Sequence, residues 1–304
     1  MKRICVIGSL NVDLTVRLPR FHQPGETIIG SAFGQYAGGK GGNQAVAAAR
    51  LGAKTLMVGK LGNDANGELY RSVLAENRVD DSGVETALGV PSGIALIEVD
   101  DSGENRIAIV QGTNGLVDRA QVDRLTPLMS TYDIFLLQLE IPMDTVLYTV
   151  KKLHALGKTV ILDPAPAAPL PDGLLEAVDY LTPNVLELSM LSGMPVETIE
   201  GVISAGKFLV REGAHAVLIK VGANGSVYID EDQVISVPGF AVNAVDTTAA
   251  GDCFNAAFAC ALARGVKLHD AMMMANAAGA LSTTRAGAQV AMPSMEQVER
   301  LMTA

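Results

Sequence analysis

The chain has 304 residues, of which 49% are hydrophobic and 18% are charged, and its formal net charge is −10. This balance excludes an intrinsically disordered chain, because so apolar a sequence can bury a large core. The negative charge, with no basic cluster to reverse it locally, argues against a nucleic-acid partner, and no apolar run approaches the length of a membrane span.

Strand and helix patterns alternate along most of the chain. The predicted strands cover 3–7, 55–60, 134–138, 159–163 and 216–220, and the predicted helices cover 43–51, 67–77, 142–156, 184–191, 250–263 and 270–284. Repeated strand–helix units predict an α/β fold with a mainly parallel sheet, helices on both faces and ligands beyond the carboxyl ends of the strands. No repeat or linker divides the chain, so we expect a single domain over 1–304.

Two stretches interrupt this alternation. Segments 14–18 and 27–33, and segments 93–99 and 106–110, are typical of short antiparallel pairs, the second joined by a turn at 100–104. We expect a small antiparallel sheet, built from insertions at about 12–35 and 91–112. Such a sheet would serve as a lid over a site, as a dimer surface, or as both.

Polar residues follow the first predicted strand. Asn11 and Asp13 stand at its carboxyl end, where open α/β sheets bind ligands. A carboxylate accepts hydrogen bonds and an amide both donates and accepts, so this pair suits two adjacent sugar hydroxyls. An ordinary turn explains the same spacing and is the preferred interpretation of these residues taken alone.

A glycine-rich run leads into the next helix. It resembles a phosphate-binding loop as far as Lys40, but Gly41 stands where the hydroxyl that contacts magnesium is required. Without a phosphate-binding loop, the glycine-rich segment 38–43 predicts a flexible, exposed backbone. Such a backbone suits a polyhydroxylated ligand, with Lys40 and Asn43 as hydrogen-bond donors. The alternative is a plain glycine-rich turn with Asn43 as the helix cap.

Two carboxylates and two turns follow later strands. Glu140 comes directly after a buried strand and needs polar partners, for which a ligand hydroxyl is one candidate. The prolines after Asp163 favour a structural turn for that residue. Asn184 and the tight turn 220–225 are candidates to face a nucleotide, although each signal is nonspecific by itself.

Residues 246–252 lead from a polar turn into an apolar helix. A helix N-terminus carries unpaired N–H groups and partial positive charge, and the small residues before Asp252 let an anion approach them. A carboxylate beside that anion suits a general base acting on a hydroxyl that attacks a phosphoryl group. The alternative is a helix cap in a tightly packed turn.

The loop after the last predicted helix contains Arg285 and Gly287. If the two C-terminal helices pair, this loop lies near Asp246, and its backbone carbonyls beside a carboxylate suit a large monovalent cation. A helix C-cap with Gly287 at the turn explains the same residues.

The three cysteines lie in apolar segments without C-x-x-C spacing, so we expect buried free thiols and a reducing, cytoplasmic compartment.

Residues 38–45 and 246–252 together resemble the two signatures of the PfkB family of carbohydrate kinases and, within it, the ribokinases. The resemblance spans essentially the whole chain. It implies a ribokinase-like three-layer sandwich with a β-sheet lid, ATP as donor with Mg²⁺, frequent activation by K⁺, and a homodimer formed through the lid. The expected activity is phosphorylation of the primary O5 hydroxyl of a pentose, first of all D-ribose. The alternatives are a kinase for deoxyribose, fructose, a 2-keto-3-deoxy sugar acid or a nucleoside, and a sugar-binding protein without catalysis, which would have no need of a base.

The same resemblance implies roles for individual residues. Asp252 matches the catalytic base, and the backbone of Ala249, Ala250 and Gly251 matches the anion hole. The positions that match sugar contacts are Asn11, Asp13, Gly39, Lys40, Gly41, Gly42, Asn43 and Glu140. Those that match nucleotide contacts are Asn184, Lys220, Val221, Gly222, Ala223, Asn224, Gly225, Gly251 and Asn276. Those that match the cation site are Asp246, Thr248, Ser282, Arg285, Gly287 and Ala291. Asn276 replaces an expected histidine near the adenine, and Ala291 replaces an expected serine.

Overall fold

Two β-sheets organise the chain in the computed structural model, which describes residues 2–303. The strands are β1 Ile4–Ile7, β2 Asn11–Arg17, β3 Ala32–Gly38, β4 Thr55–Gly62, β5 Asp80–Ala87, β6 Gly93–Val99, β7 Asn105–Val110, β8 Ile134–Leu137, β9 Thr159–Leu162, β10 Tyr180–Leu181, β11 Val217–Lys220, β12 Ser226–Ile229 and β13 Val234–Val237. The helices are α1 Lys40–Arg50, α2 Ala65–Glu76, α3 Arg119–Met129, α4 Met143–Ala155, α5 Val185–Ser192, α6 Ile199–Arg211, α7 Ala250–Ala263, α8 Leu268–Ser282 and α9 Met295–Thr303.

The larger sheet confirms the predicted three-layer α/β fold. Its nine strands run in the order β13-β12-β11-β10-β9-β8-β1-β4-β5, and only the last two hairpin strands, β12 and β13, are antiparallel to their neighbours. Along β1, Ile4 and Val6 pack into one core, and Cys5 and Ile7 pack into the other. Alternate side chains of a strand point to opposite faces, so helices must cover both sides of the sheet.

The smaller sheet has the order β3-β2-β6-β7, and its central pair, β2 and β6, is parallel, which corrects the prediction of a wholly antiparallel sheet. The predicted pair at 93–99 and 106–110 is confirmed, because β6 and β7 are antiparallel with Ile94 opposite Val110. The prediction of a strand over 27–33 is wrong, since β2 pairs with β3 at Ala32–Gly38. Strand β3 contains glycines, which have low strand propensity, and pairing along the full length of β2 outweighs that preference.

The other differences concern elements with weak sequence patterns. Helix α1 begins at Lys40, three residues before its predicted start, and helices α3, α6 and α9 were not predicted. Strand β5 is an edge strand of mixed, largely polar residues, so it shows no apolar run. Cys5, Cys253 and Cys260 are buried free thiols, as predicted. Over residues 2–303, every helix is too short or too polar to cross a membrane.

Candidate active site

The carboxyl ends of four parallel strands bring polar residues to one edge of the large sheet. Ser9 follows β1, Glu140 follows β8, Asp163 follows β9 and Lys220 ends β11. Helices α1 and α7 pack against each other, and both begin at this edge. Parallel strands end at the same edge of a sheet, so residues distant in sequence converge here.

The glycine-rich run is closely packed, which corrects the prediction of a flexible, exposed backbone. Gly41 and Gly42 are buried at the start of α1, and the nitrogen of Gly42 donates to the carbonyl of Ser9 over 2.9 Å. A Cβ added to Gly41 would lie 2.7 Å from the backbone of Ser9, and Gly39 has a φ of 78°. Glycine is therefore required by close backbone approach and by a left-handed conformation, rather than by mobility.

Asp252 lies in the first turn of α7 and is 5% exposed. The residue that caps this helix, Ala249, has a left-handed backbone with φ of 60°, which is strained for a residue with a Cβ. Asn43 Nδ2 donates to Asp252 Oδ2 over 2.9 Å, and Gln44 Nε2 donates to Oδ1 over 3.0 Å. Both carboxylate oxygens are thus held by adjacent residues of α1.

The environment of Asp252 favours a base that titrates near neutrality. Burial raises the pKa of Asp252; Lys40 and the amides of Asn43 and Gln44 lower it, and the charge of Asp163 raises it, so that the pKa is about 6. The carboxylate is therefore ionised at pH 7 while remaining basic enough to accept a proton. This is the balance that proton abstraction from a sugar hydroxyl requires.

Asn11, Asp13, Lys40 and Glu140 line the side of the site nearest the small sheet. Ser9 Oγ donates to Glu140 Oε2, which also accepts from the backbone nitrogen of Lys40 over 3.0 Å. Asn11 Oδ1 accepts from Asn114 Nδ2 over 2.7 Å. Along β2, Asn11 and Asp13 alternate with Val12 and Leu14, so the polar side chains share one face of the strand.

Carboxylates crowd this part of the site. Burial, followed by the charges of Glu140 and Asp252, raises the pKa of Asp13 to about 7. Burial by itself lowers the pKa of Lys40, but the carboxylates around it outweigh burial and hold that pKa above its usual value. The arrangement presents hydrogen-bond acceptors and one cation, which suits a ligand with several hydroxyl groups.

A cavity of about 500 Å³ opens beside the first turn of α7, where Ala250 and Gly251 line it. Its wall includes six of the predicted nucleotide contacts, namely Lys220, Gly222, Ala223, Gly225, Gly251 and Asn276. The Asn276 amide donates to the carbonyls of Val237 and Pro238, each over 3.2 Å. Phe254 and Phe240 complete an apolar wall beside these polar backbone segments, an arrangement typical of nucleotide base pockets.

Three predicted nucleotide contacts do not line this cavity: Asn184, Val221 and Asn224. The side-chain oxygen of Asn184 accepts from the backbone nitrogen of Glu187 and caps α5. In return, the backbone nitrogen of Asn184 donates to a carboxylate oxygen of Glu187 over 2.8 Å. This capping box explains the sequence pattern through helix stability. It also places the 8% exposed carboxylate of Glu187 within the electrostatic influence of Lys220, Asp163 and Lys40.

The predicted cation loop and Asp246 are adjacent. Asp246 Oδ1 accepts from Thr248 N over 2.9 Å, and Oδ2 accepts from Gly287 N over 2.8 Å. These bonds lower the pKa of Asp246, although burial opposes them. Ser282 is buried, and its hydroxyl donates to the Gly279 carbonyl. Ala291 is also buried, whereas Arg285 is exposed. Within residues 2–303, three or more His, Cys, Asp or Glu side chains nowhere cluster as a metal site would need.

Sequence reasoning missed several polar residues of the site. Asp163, interpreted above as a turn residue, is buried and pairs with Lys220 over 2.8 Å. Gln44, Gln138 and Asn114 are also buried in the hydrogen-bond network. The available signal was that Gln44 follows Asn43 in the glycine-rich motif, and that Gln138 and Asp163 each end an apolar strand.

Comparison with known proteins gives consistent similarities. Residues 1–295 match the profile of the pfkB family carbohydrate kinases. A ribokinase of Bacillus subtilis is 39% identical over 305 residues, covering 100% of both chains. A deoxyribokinase of Salmonella typhi is 35% identical over 301 residues, covering 99% of this chain and 98% of its own. The solved structure of Arabidopsis thaliana ribokinase complexed with ribose and ATP has a TM-score of 0.93 and 34% identity, covering 100% of this chain and 99% of that one.

Proposed function

The chain belongs to the pfkB family of carbohydrate kinases, and we propose that it transfers the γ-phosphoryl group of ATP to the O5 hydroxyl of D-ribose. The observation that carries this proposal is the position of Asp252. It directly follows Gly251, which lines the cavity of about 500 Å³, and its charge acts on Asp13 in the polar cluster of Asn11, Asp13 and Glu140. A base between a donor pocket and an acceptor pocket is the geometry that phosphoryl transfer to an alcohol requires.

The residues of the site have separate roles in the proposed reaction. Asn11, Asp13, Lys40 and Glu140 orient the sugar, and Asp252 accepts the proton of O5 as its bond to phosphorus forms. The N–H groups at the start of α7, around Ala250 and Gly251, donate to the oxygens of the transferred group. Closure of the small sheet over the sugar excludes water, which would otherwise compete as the acceptor.

We assign Mg²⁺ to the phosphates of ATP, where it would offset their negative charge. Glu187 fits the role of holding it, because one of its carboxylate oxygens bonds Asn184 N and the other has no hydrogen-bond partner among the described residues. Mg²⁺ prefers one or two carboxylates together with substrate phosphates, so a three-carboxylate cluster is not needed.

A monovalent cation, K⁺, is proposed beside Asp246. The carboxylate bridges the loop that precedes α7 and the loop at Gly287, which is where turned backbone carbonyls are available. The hydroxyl expected at position 291 is absent, because that residue is alanine. A turnover assay in K⁺, Na⁺ and choline salts of equal ionic strength tests this assignment, which predicts the highest rate in K⁺.

We also propose that the chain acts as a single kinase domain in the cytoplasm and forms a homodimer through the small sheet. The face of this sheet that carries Leu14, Val16, Phe33 and Leu96 lines a groove of about 460 Å³. Phe33 and Leu96 are 67% and 47% exposed, which is unusual for large apolar side chains. A second copy of the same sheet would cover this face.

An ADP-release assay across pentoses, hexoses and nucleosides tests the function. We expect D-ribose to give the highest kcat/KM and ³¹P NMR of the product to show a 5-phosphate. The deoxyribokinase relative makes 2-deoxyribose the specific competitor. A higher kcat/KM for deoxyribose would transfer the assignment to that sugar, and sugar binding without ADP release would refute a kinase.

A further inference from the structure

A buried ion pair joins the nucleotide cavity to the catalytic base. Lys220 Nζ lies 2.8 Å from Asp163 Oδ1, and the two side chains are only 12% and 3% exposed. Burying both charges has a desolvation cost that their attraction only partly offsets, so such a pair is weak evidence for stability. Its position calls for a functional explanation.

Gln44 connects this pair to Asp252. Its amide nitrogen donates to Asp163 Oδ2 over 3.1 Å and to Asp252 Oδ1 over 3.0 Å, while its oxygen accepts from Gln138 Nε2 over 2.7 Å. All hydrogens of the Gln44 amide are therefore used, and the side chain is fully buried. Asp163 and Asp252 are held in one fixed relationship by a single nitrogen atom.

The Lys220 side chain borders both the nucleotide cavity and the first turn of α7. Lys220 lines the nucleotide cavity, and a Cβ built on Gly251 would lie 3.4 Å from its Nζ. The ammonium thus lies against the first turn of α7, next to the backbone that begins the proposed anion hole. A lysine that only balanced Asp163 would have no reason to line the donor pocket.

We propose that Lys220 is a catalytic residue whose ammonium neutralises charge on the transferred phosphoryl group, with Asp163 and Gln44 as the residues that position it relative to Asp252. This inference rests on the proposed function. In the step, the bond from ribose O5 to the γ-phosphorus forms and the bond from that phosphorus to the bridging oxygen of ADP breaks. The O5 proton passes to Asp252, and the ammonium keeps its protons throughout.

The charge count of the site supports this role. Four carboxylates, those of Glu140, Asp163, Glu187 and Asp252, interact with two lysines, Lys40 and Lys220. Phosphoryl transfer adds negative charge at the anion hole, and a fixed cation there stabilises the transition state more than the ground state. Lys220 is the lysine on the donor side of the base.

The test compares Lys220→Gln and Lys220→Arg with Lys60→Gln as the control. Lys60 also has an 11% exposed side chain that pairs with a carboxylate, Glu85, but it lies within strand β4, outside the nucleotide cavity. We expect Lys220→Gln to lower kcat by about 10²-fold with the KM for ribose unchanged, and Lys220→Arg to lose less. The control variant should keep the wild-type kcat.

A binding measurement separates this role from simple nucleotide affinity. Lys220→Gln should bind ADP within about threefold of wild type but should bind the ADP–tetrafluoroaluminate–ribose complex, which mimics the transferred group, about 10²-fold more weakly. A raised KM for ATP with normal kcat would overturn the proposal, because it would assign Lys220 to ground-state binding. A lowered Tm with normal kinetics would also overturn it, in favour of a structural pair.

Asp163 has its own readout. Asp163→Asn should lower kcat about tenfold and move the acid limb of the kcat profile to lower pH, because its charge raises the pKa of Asp252. A structural role would leave that limb in place, and this result would overturn the positioning role.

The double variant Lys220→Gln with Asp163→Asn leaves neither charge buried without its partner. It therefore replaces a single variant that fails to fold, and its kcat should be lowered as in Lys220→Gln. Normal kcat in a folded double variant would overturn the proposal. A wild-type protein that phosphorylates no sugar would instead refute the proposed function and this inference with it.

Discussion

Asn43 Nδ2 lies 2.9 Å from Asp252 Oδ2, although the two residues are 209 positions apart in the chain. Asn43 belongs to α1 and Asp252 to α7, and both helices begin at the ligand edge of the sheet. The orientation of the base therefore depends on helix packing rather than on a flexible loop. Precise orientation of this kind accounts for a large share of enzymatic rate enhancement.

Replacing Asp252 with asparagine tests the base directly. The variant Asp252→Asn should lower kcat by about 10²-fold or more while ribose affinity changes little. The new amide fits the same space, because Asn43 Oδ1 has no hydrogen-bond partner within residues 2–303 and a rotated Asn43 amide can accept from it. Steady-state kinetics and ribose titration calorimetry measure the two quantities. Asp270→Asn, on the exposed first turn of α8, is the control, and near-normal turnover in Asp252→Asn would contradict the assigned role.

Turnover and sugar binding should respond to pH over different ranges. Burial raises the pKa of Asp252 to about 6, so kcat should fall as the pH decreases through about 6 and the base becomes protonated. Burial also raises the pKa of Asp13 to about 7, so the KM for ribose should rise as the pH decreases through about 7. Profiles of kcat and KM from pH 5 to 9 check both, and Asp13→Asn should remove the change in KM. A KM independent of pH in the wild type would exclude Asp13 as a sugar acceptor.

The buried base should cost stability at high pH. The folded-state pKa of Asp252 is raised above its unfolded value, so the folded protein binds the proton more tightly and its free energy of unfolding decreases as the pH rises from about 4 to above 6. Asp252→Asn removes this charge and should be more stable than wild type at pH 8 by on the order of 1–2 kcal/mol, with no difference below about pH 4. Urea unfolding at pH 4, 6 and 8 measures this difference. An equal difference at all three values would assign it to packing.

The strained cap at Ala249 should be relieved by glycine. Ala249 and Arg78 are the two non-glycine residues with positive φ among those described, at 60° and 57°. Ala249→Gly should raise the free energy of unfolding by about 0.5–1 kcal/mol and keep its turnover, whereas the β-branched Ala249→Val should lose both stability and turnover. Arg78→Gly is the matched control, with similar stabilisation and normal kinetics. If Ala249→Val keeps wild-type kinetics, the backbone at Ala249 does not form part of the anion hole.

A charge on the exposed face of the small sheet should disrupt the dimer. Leu96→Lys places a cation beside Phe33 and Leu14 in the groove, and it should shift the molar mass from dimer to monomer in light scattering after gel filtration. Val234→Lys, at an exposed apolar position of strand β13, is the control and should stay dimeric. A monomeric wild type would refute the proposed interface. A dimeric Leu96→Lys variant would show that the dimer forms through another surface.

Local patterns predicted the larger features of this fold because they reflect local physics. The apolar runs of β1, β8, β9 and β11 are strands buried on both faces, and the pattern after Gly251 is the helix α7, with its predicted bounds at Ala250–Ala263. The strand at 27–33 failed because pairing with β2, a nonlocal interaction, determines where β3 lies. Boundaries of edge strands depend on such partners more than on composition.

The sequence by itself determined the α/β class, the helix that carries Asp252 and the polar residues that end the strands, since each follows from short-range periodicity. Only the tertiary structure decided that Gln44 bonds both Asp163 and Asp252, and that Lys220 lies between Asp163 and the nucleotide cavity. Those contacts join residues of α1, β11 and α7 with the residue that follows β9, and they meet because parallel strands end at one edge. Burial at that edge, which no local pattern encodes, raises the pKa of Asp252 into the range where a base can act.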